Sequence, residues 1–149
     1  MAFLSLRSMN KNQKWRHETV ISHIAFFPSI VISLLREEQF LELSLFVLPV
    51  FIFSFIFNRA RLPRDSLIGI STHVLAHILF GYGCAHIFAA PTFEVRIIYC
   101  IFLFWTMCTY LARVFRFKIS HEAYFIGIYV IPGVLCTLVS RFGSPIFLK

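Results

Sequence analysis

The sequence predicts an all-α integral membrane protein, a polytopic bundle of about five transmembrane helices. Three observations carry that expectation. First, 58% of the 149 residues are apolar and only 14% are charged, whereas an ordinary soluble domain holds about 45–50% apolar and about 25% charged residues. A domain this small has a high surface-to-volume ratio and would have to leave much of that apolar surface in water. Second, the apolar residues fall into five runs long enough, alone or with flanking residues, to cross a bilayer core of about 30 Å. Third, the Lys and Arg residues alternate between the connections. Lipid satisfies no open backbone groups and no strand-period alternation is present, so the runs are expected to be helical.

The elements follow in order. Residues 1–18 are polar and basic, with Arg7, Lys11, Lys14 and Arg16 ahead of the first acid, Glu18. Run one, 19–35, carries His23 and Pro28. It is short, and flanking arginines lengthen it by snorkelling. Run two, 40–57, carries Glu42 near its start. Run three, 66–93, has 28 residues without Asp, Glu, Lys or Arg. At about 1.5 Å per residue it reaches about 42 Å, longer than the hydrocarbon core. It is therefore expected to tilt or to end before Pro91. Run four, 97–112, lies between Arg96 and Arg113, with Glu94 and Arg96 expected in the preceding turn. Run five, 123–140, is followed by a short tail, 143–149.

The charge pattern sets the orientation. Counting Lys and Arg in alternate connections puts ten on one side and four on the other, so the positive-inside rule predicts a cytoplasmic N-terminus and a lumenal C-terminus. The formal net charge of +7 is read as topogenic charge and contact with membrane lipids. No Arg/Lys stripe with interleaved aromatics is present, so no nucleic-acid partner is expected. The basic start and the interrupted first run fit a signal anchor better than a cleaved signal peptide.

Candidate chemistry is sparse. Cys84, Cys100, Cys108 and Cys136 all lie in apolar runs and form no CxxC pair, which argues against zinc or a disulfide framework. The intramembrane polar residues are His23, His73, His77 and His86. His73 and His77 share a helix face, and His86 falls on the opposite one. They read as hydrogen-bonding residues of the bundle interior, with haem on His23 and His73 or His77 as the sharper alternative. Gly69, Ala76, Gly83 and Ala90 recur every seven residues and are expected to form a helix-packing or partner seam. The acids Glu37, Glu38 and Glu42 sit in one connection, and no set for metal-assisted phosphoryl transfer and no GxSxG, HExxH or P-loop is present. No catalytic residue, cofactor or metal is expected.

Ala90-Pro91-Thr92-Phe93-Glu94-Val95, with Ala89 ahead of it, resembles the Gly-Ala-Pro-Leu-Ile-Glu-Leu stretch of the GPI-anchor biosynthesis protein F (PIG-F) family. Ser22-His23 in the first run, the basic connection Arg59–Arg64, Arg113-Val114-Phe115 and Pro145-Ile146 are similar to further family segments in the same order. The family has six spans where five are seen here, and its Pro-rich, Trp-containing stretch is replaced by 143–149. The resemblance implies a non-catalytic endoplasmic reticulum membrane subunit that stabilises a large membrane-bound phosphoethanolamine transferase. The alternatives are an accessory subunit of a respiratory complex in the mitochondrial inner membrane, or a small haem-binding redox protein.

Overall fold

A computed structural model describes residues 23–36 and 41–148. The basic N-terminal segment, the start of run one, and Glu37 and Glu38 lie outside the described residues. Within them the chain is helical, with five segments. A 3₁₀ turn, His23–Phe26, leads into α1, Phe27–Leu35. Then come α2, Leu41–Arg59, α3, Leu67–Phe88, and α4, Phe93–Val114. The last, α5, is continuous but not uniform: an α-helical turn His121–Phe125, a π-helical stretch Ile126–Val130 and an α-helical stretch Ile131–Phe142.

Local chemistry explains most boundaries. Pro28 lies in the first turn of α1, where its missing N–H has no helical partner to lose. Ser66, Thr92 and Ser120 are N-caps whose hydroxyls accept from the N–H groups of Gly69, Val95 and Ala123. Thr92 accounts for one departure from expectation. It starts α4 at Phe93, so Glu94 and Arg96 lie inside the helix rather than in the turn before it. An acid in the first turn suits the positive end of the helix dipole. At the other side of the same turn α3 stops at Phe88, ahead of Pro91.

Each helix packs on its neighbours in sequence, and α5 closes the ring by packing on α1. The closest approaches use small residues. A Cβ on Gly133 of α5 would lie 2.7 Å from the backbone of Ala25, just ahead of α1. A Cβ on Gly127 of α5 would collide with the Thr109 side chain of α4. Around the Ala25–Gly133 contact, Ser29, Ser33 and Ser140 are buried. Their hydroxyls bond back to carbonyls of their own helical segments, so at these serines the α1–α5 contact rests on shape rather than on bonds between helices.

The distribution of polarity is that of a membrane protein. Among the described residues, ten apolar and eleven polar or charged ones are buried, while Phe88, Leu67, Phe104 and Phe93 are 70–84% exposed. In water that arrangement would be ruinous; in lipid the outer surface is solvated and the polar groups meet inside. Four helical stretches, Leu41–Arg59, Leu67–Phe88, Phe93–Val114 and Glu122–Phe142, are long and apolar enough to cross a membrane, and His23–Leu35 is a shorter apolar helix. The chain is an all-α multi-pass membrane protein of about five helices.

Candidate functional site

The densest polar cluster among the described residues forms where the end of α1 and the start of α2 meet the end of α3 and the segment after α5. Glu42, in the first turn of α2, is 1% exposed. Its carboxylate accepts from the Tyr82 hydroxyl at 2.7 Å. It also accepts from three successive backbone N–H groups: Ile146 at 2.9 Å, Phe147 at 2.6 Å and Leu148 at 2.6 Å. A carboxylate out of water must be hydrogen-bonded or paired, and four donors on two oxygens meet that need.

The segment 143–148 is held from its other side as well. Arg36 Nη1 donates to the carbonyls of Ser140 at 2.9 Å and Gly143 at 3.1 Å. A guanidinium at the C-terminal end of α5 satisfies carbonyls that have no helical partner and complements the dipole. Gly143 fits because its backbone passes close to its neighbours. A Cβ there would lie 2.6 Å from the Val139 carbonyl and 3.5 Å from His86 Nδ1. Tyr82 in turn is stacked on Phe46, with ring centroids 4.1 Å apart, and meets the His86 ring edge-on at 4.6 Å. Helix α4, whose Leu103 lies against Gly83, contributes Tyr99, 1% exposed. Its hydroxyl is buried with no hydrogen-bond partner among the described residues.

A carboxylate saturated by four donors is an anchor. It is not poised to take a proton from a substrate, because every lone-pair direction already carries a hydrogen. The arrangement ties Arg36 at the end of α1, the start of α2, α3 and the tail together.

The residues singled out from the sequence are placed as follows. His86 is buried, 1% exposed, beside Tyr82. His73 and His77 lie on the exposed face of α3. Their Nδ1–H groups donate back along the helix to the carbonyls of Gly69 and His73, both at 2.6 Å. His23 is buried at the other end of the bundle, 2.6 Å from Ser54 Oγ, among Phe51, Phe55 and Tyr129. The structure thus does not bring His23 together with His73 or His77, and no three His, Cys, Asp or Glu side chains converge among the described residues.

Of the four small residues of the expected seam, Gly69, Ala76 and Gly83 lie in α3 and Ala90 falls beyond its end at Phe88, and the four do not share a neighbour. Gly69 packs on the carbonyls of Pro63 and Arg64, Ala76 is exposed, Gly83 faces Leu103, and Ala90 lies against the core. Ala89, Pro91 and Glu94 are exposed around the α3–α4 turn. Sequence reasoning missed Arg36, Tyr82 and the anchoring role of Glu42. The available signal was an acid one residue into an apolar helix, which must find donors inside the bundle.

Comparison with known proteins adds no relative: no protein-family model, no curated protein and no solved structure matches the chain.

Proposed function

We propose that this chain is a non-catalytic membrane subunit that binds and stabilises a phosphoethanolamine transferase of GPI-anchor biosynthesis in the endoplasmic reticulum. The observation that carries the subunit reading is α4. Of its 22 residues only Tyr99, Leu103 and Thr109 are buried, which leaves a full-length apolar wall with Ile101, Phe104 and Trp105 outward. In lipid such a wall offers another helix close van der Waals contact at no desolvation cost. The interior supports the non-catalytic half of the reading, because Glu42 and Arg36 are engaged in holding segment 143–148. The assignment to GPI-anchor synthesis rests on the resemblance around Ala89–Val95, the exposed turn that leads into that same helix. Affinity purification of the full chain in mild detergent, followed by mass spectrometry, tests it. Recovery of a large transferase with a lumenal domain is expected. Recovery of respiratory-chain subunits in its place overturns the assignment, and a Soret band in the pure protein overturns the subunit reading in favour of a haem protein.

A further inference from the structure

The end of the bundle opposite Glu42 carries two connections with the same unusual build. At the end of α2, the N–H of Leu62 donates to the Phe57 carbonyl at 3.1 Å and that of Arg61 to the Asn58 carbonyl at 3.4 Å. At the end of α4, the N–H of Phe117 donates to the Ala112 carbonyl at 2.8 Å and that of Arg116 to the Arg113 carbonyl at 3.2 Å. Both are Schellman closures, in which the residue after the cap takes the left-handed conformation. That residue is Arg61 in one, with φ 54°, and Arg116 in the other, with φ 58°. These are the two non-glycine residues with positive φ among the described residues. Glycine is the residue that adopts this conformation without a Cβ penalty. The chain places a long cationic side chain there twice, at the same end.

The surroundings are also cationic. Arg59, Arg64, Arg113 and Lys118 flank the two closures, and all six cations are exposed. The Arg113 guanidinium lies 5.5 Å from the ring centroid of Tyr124 of α5. Gly69 pins the first connection, since only its missing Cβ lets α3 sit against the Pro63 and Arg64 carbonyls. Asp65 is the acid of the first connection, and Glu122 lies in the first turn of α5, after the second.

We propose that this basic end is a binding surface for anionic phospholipid headgroups, organised by Arg61 and Arg116. Topogenic charge alone asks only for cations somewhere in a connection. It gives no reason to place them where the backbone is strained, and strain retained at a position is the mark of a side chain that is needed there. Guanidinium groups match phosphate bidentately and hold it at the level where helix ends leave the hydrocarbon. This inference is independent of the transferase assignment.

The test is lipid selectivity measured by electron spin resonance on the full chain reconstituted in phosphatidylcholine bilayers. Trace spin-labelled phosphatidylserine is compared with trace spin-labelled phosphatidylcholine. The wild type should prefer phosphatidylserine, and the preference should fall by about fivefold for each of the two arginines lost. The decisive variant is Arg61→Gly with Arg116→Gly. It should lose the preference while its thermal midpoint stays level or rises, because the backbone strain is relieved. The Arg61→Lys, Arg116→Lys variant should keep part of the preference without that gain in midpoint. A double-glycine variant that retains the selectivity, or that melts below the wild type, overturns the proposal.

Discussion

The Glu42 carboxylate accepts a 2.7 Å hydrogen bond from the Tyr82 hydroxyl, and that bond joins the start of α2 to the end of α3 inside the bundle. The two residues are 40 positions apart in sequence. Around them the tail supplies three further donors, so Tyr82 is one of four groups that make a buried charge tolerable.

Glu42→Ala should be among the most damaging single changes in the protein. It strands the Tyr82 hydroxyl and three backbone N–H groups, and each buried donor left unsatisfied costs about 1–3 kcal/mol. Tyr82→Phe removes one donor and should cost about 1.5–3 kcal/mol. Thermal unfolding in a fixed detergent ranks them. A Glu42→Ala variant as stable as Tyr82→Phe would mean that the tail contacts contribute little.

The close approaches give a second ordering. Gly133→Ala should destabilise the bundle by about 1–3 kcal/mol, the usual range for overpacking, because the new methyl meets the Ala25 backbone rather than the far end of a flexible side chain. Gly83→Ala should be milder. Its Cβ meets a Leu103 methyl at 3.3 Å, the far end of a side chain that can turn. Gly83→Leu remains a strong perturbation, as the whole side chain must enter the α3–α4 contact. His77→Ala, on the exposed face, should leave the fold intact. The same unfolding assay decides, and Gly83→Ala melting below Gly133→Ala would contradict the packing.

The alternation of helices makes a prediction about sides. Single cysteines at Asp65 and Lys118, in a background without the four native cysteines, should react with an impermeant maleimide from one face of the membrane. Cysteines at Glu94 and Ser144 should react from the other. The positive-inside reading puts the first pair on the cytoplasmic face. Asp65 and Ser144 labelled from the same face would mean that an odd number of crossings between them is wrong.

The helical runs are legible in the sequence because membrane insertion depends on local composition, which a linear scan captures. The early end of α3 is legible too, since Pro91 cannot sit in a helix interior without losing a bond. The start of α4 is not, because a threonine cap extends the helix over Glu94 and Arg96, residues that hydropathy alone excludes. The Glu42 site is still less legible. Its donors lie 104 to 106 positions away in the chain, and their meeting depends on α5 packing on α1 and returning the tail to the start of α2. The small-residue spacing in α3 is visible as a pattern, yet the tightest glycine contacts between helical segments fall at Gly127 and Gly133, where spacing alone gives no partner. A stripe records which residues share a face. It does not record which face has a neighbour.

The π-helical stretch Ile126–Val130 has a consequence for how one helix serves two partners. Its wider turn, marked by the Ile131 N–H donating to the Ile126 carbonyl, works as the insertion of a single residue into an α-helix. Each residue advances an α-helix by about 100°, so the two halves of α5 are set out of phase. Gly127 is thereby aimed at Thr109 of α4, and Gly133 at Ala25 ahead of α1. Removing one residue between Ile126 and Val130 would restore a regular spiral, and with it only one of the two glycines could keep its neighbour. The ring of helices closes because its last member changes phase midway.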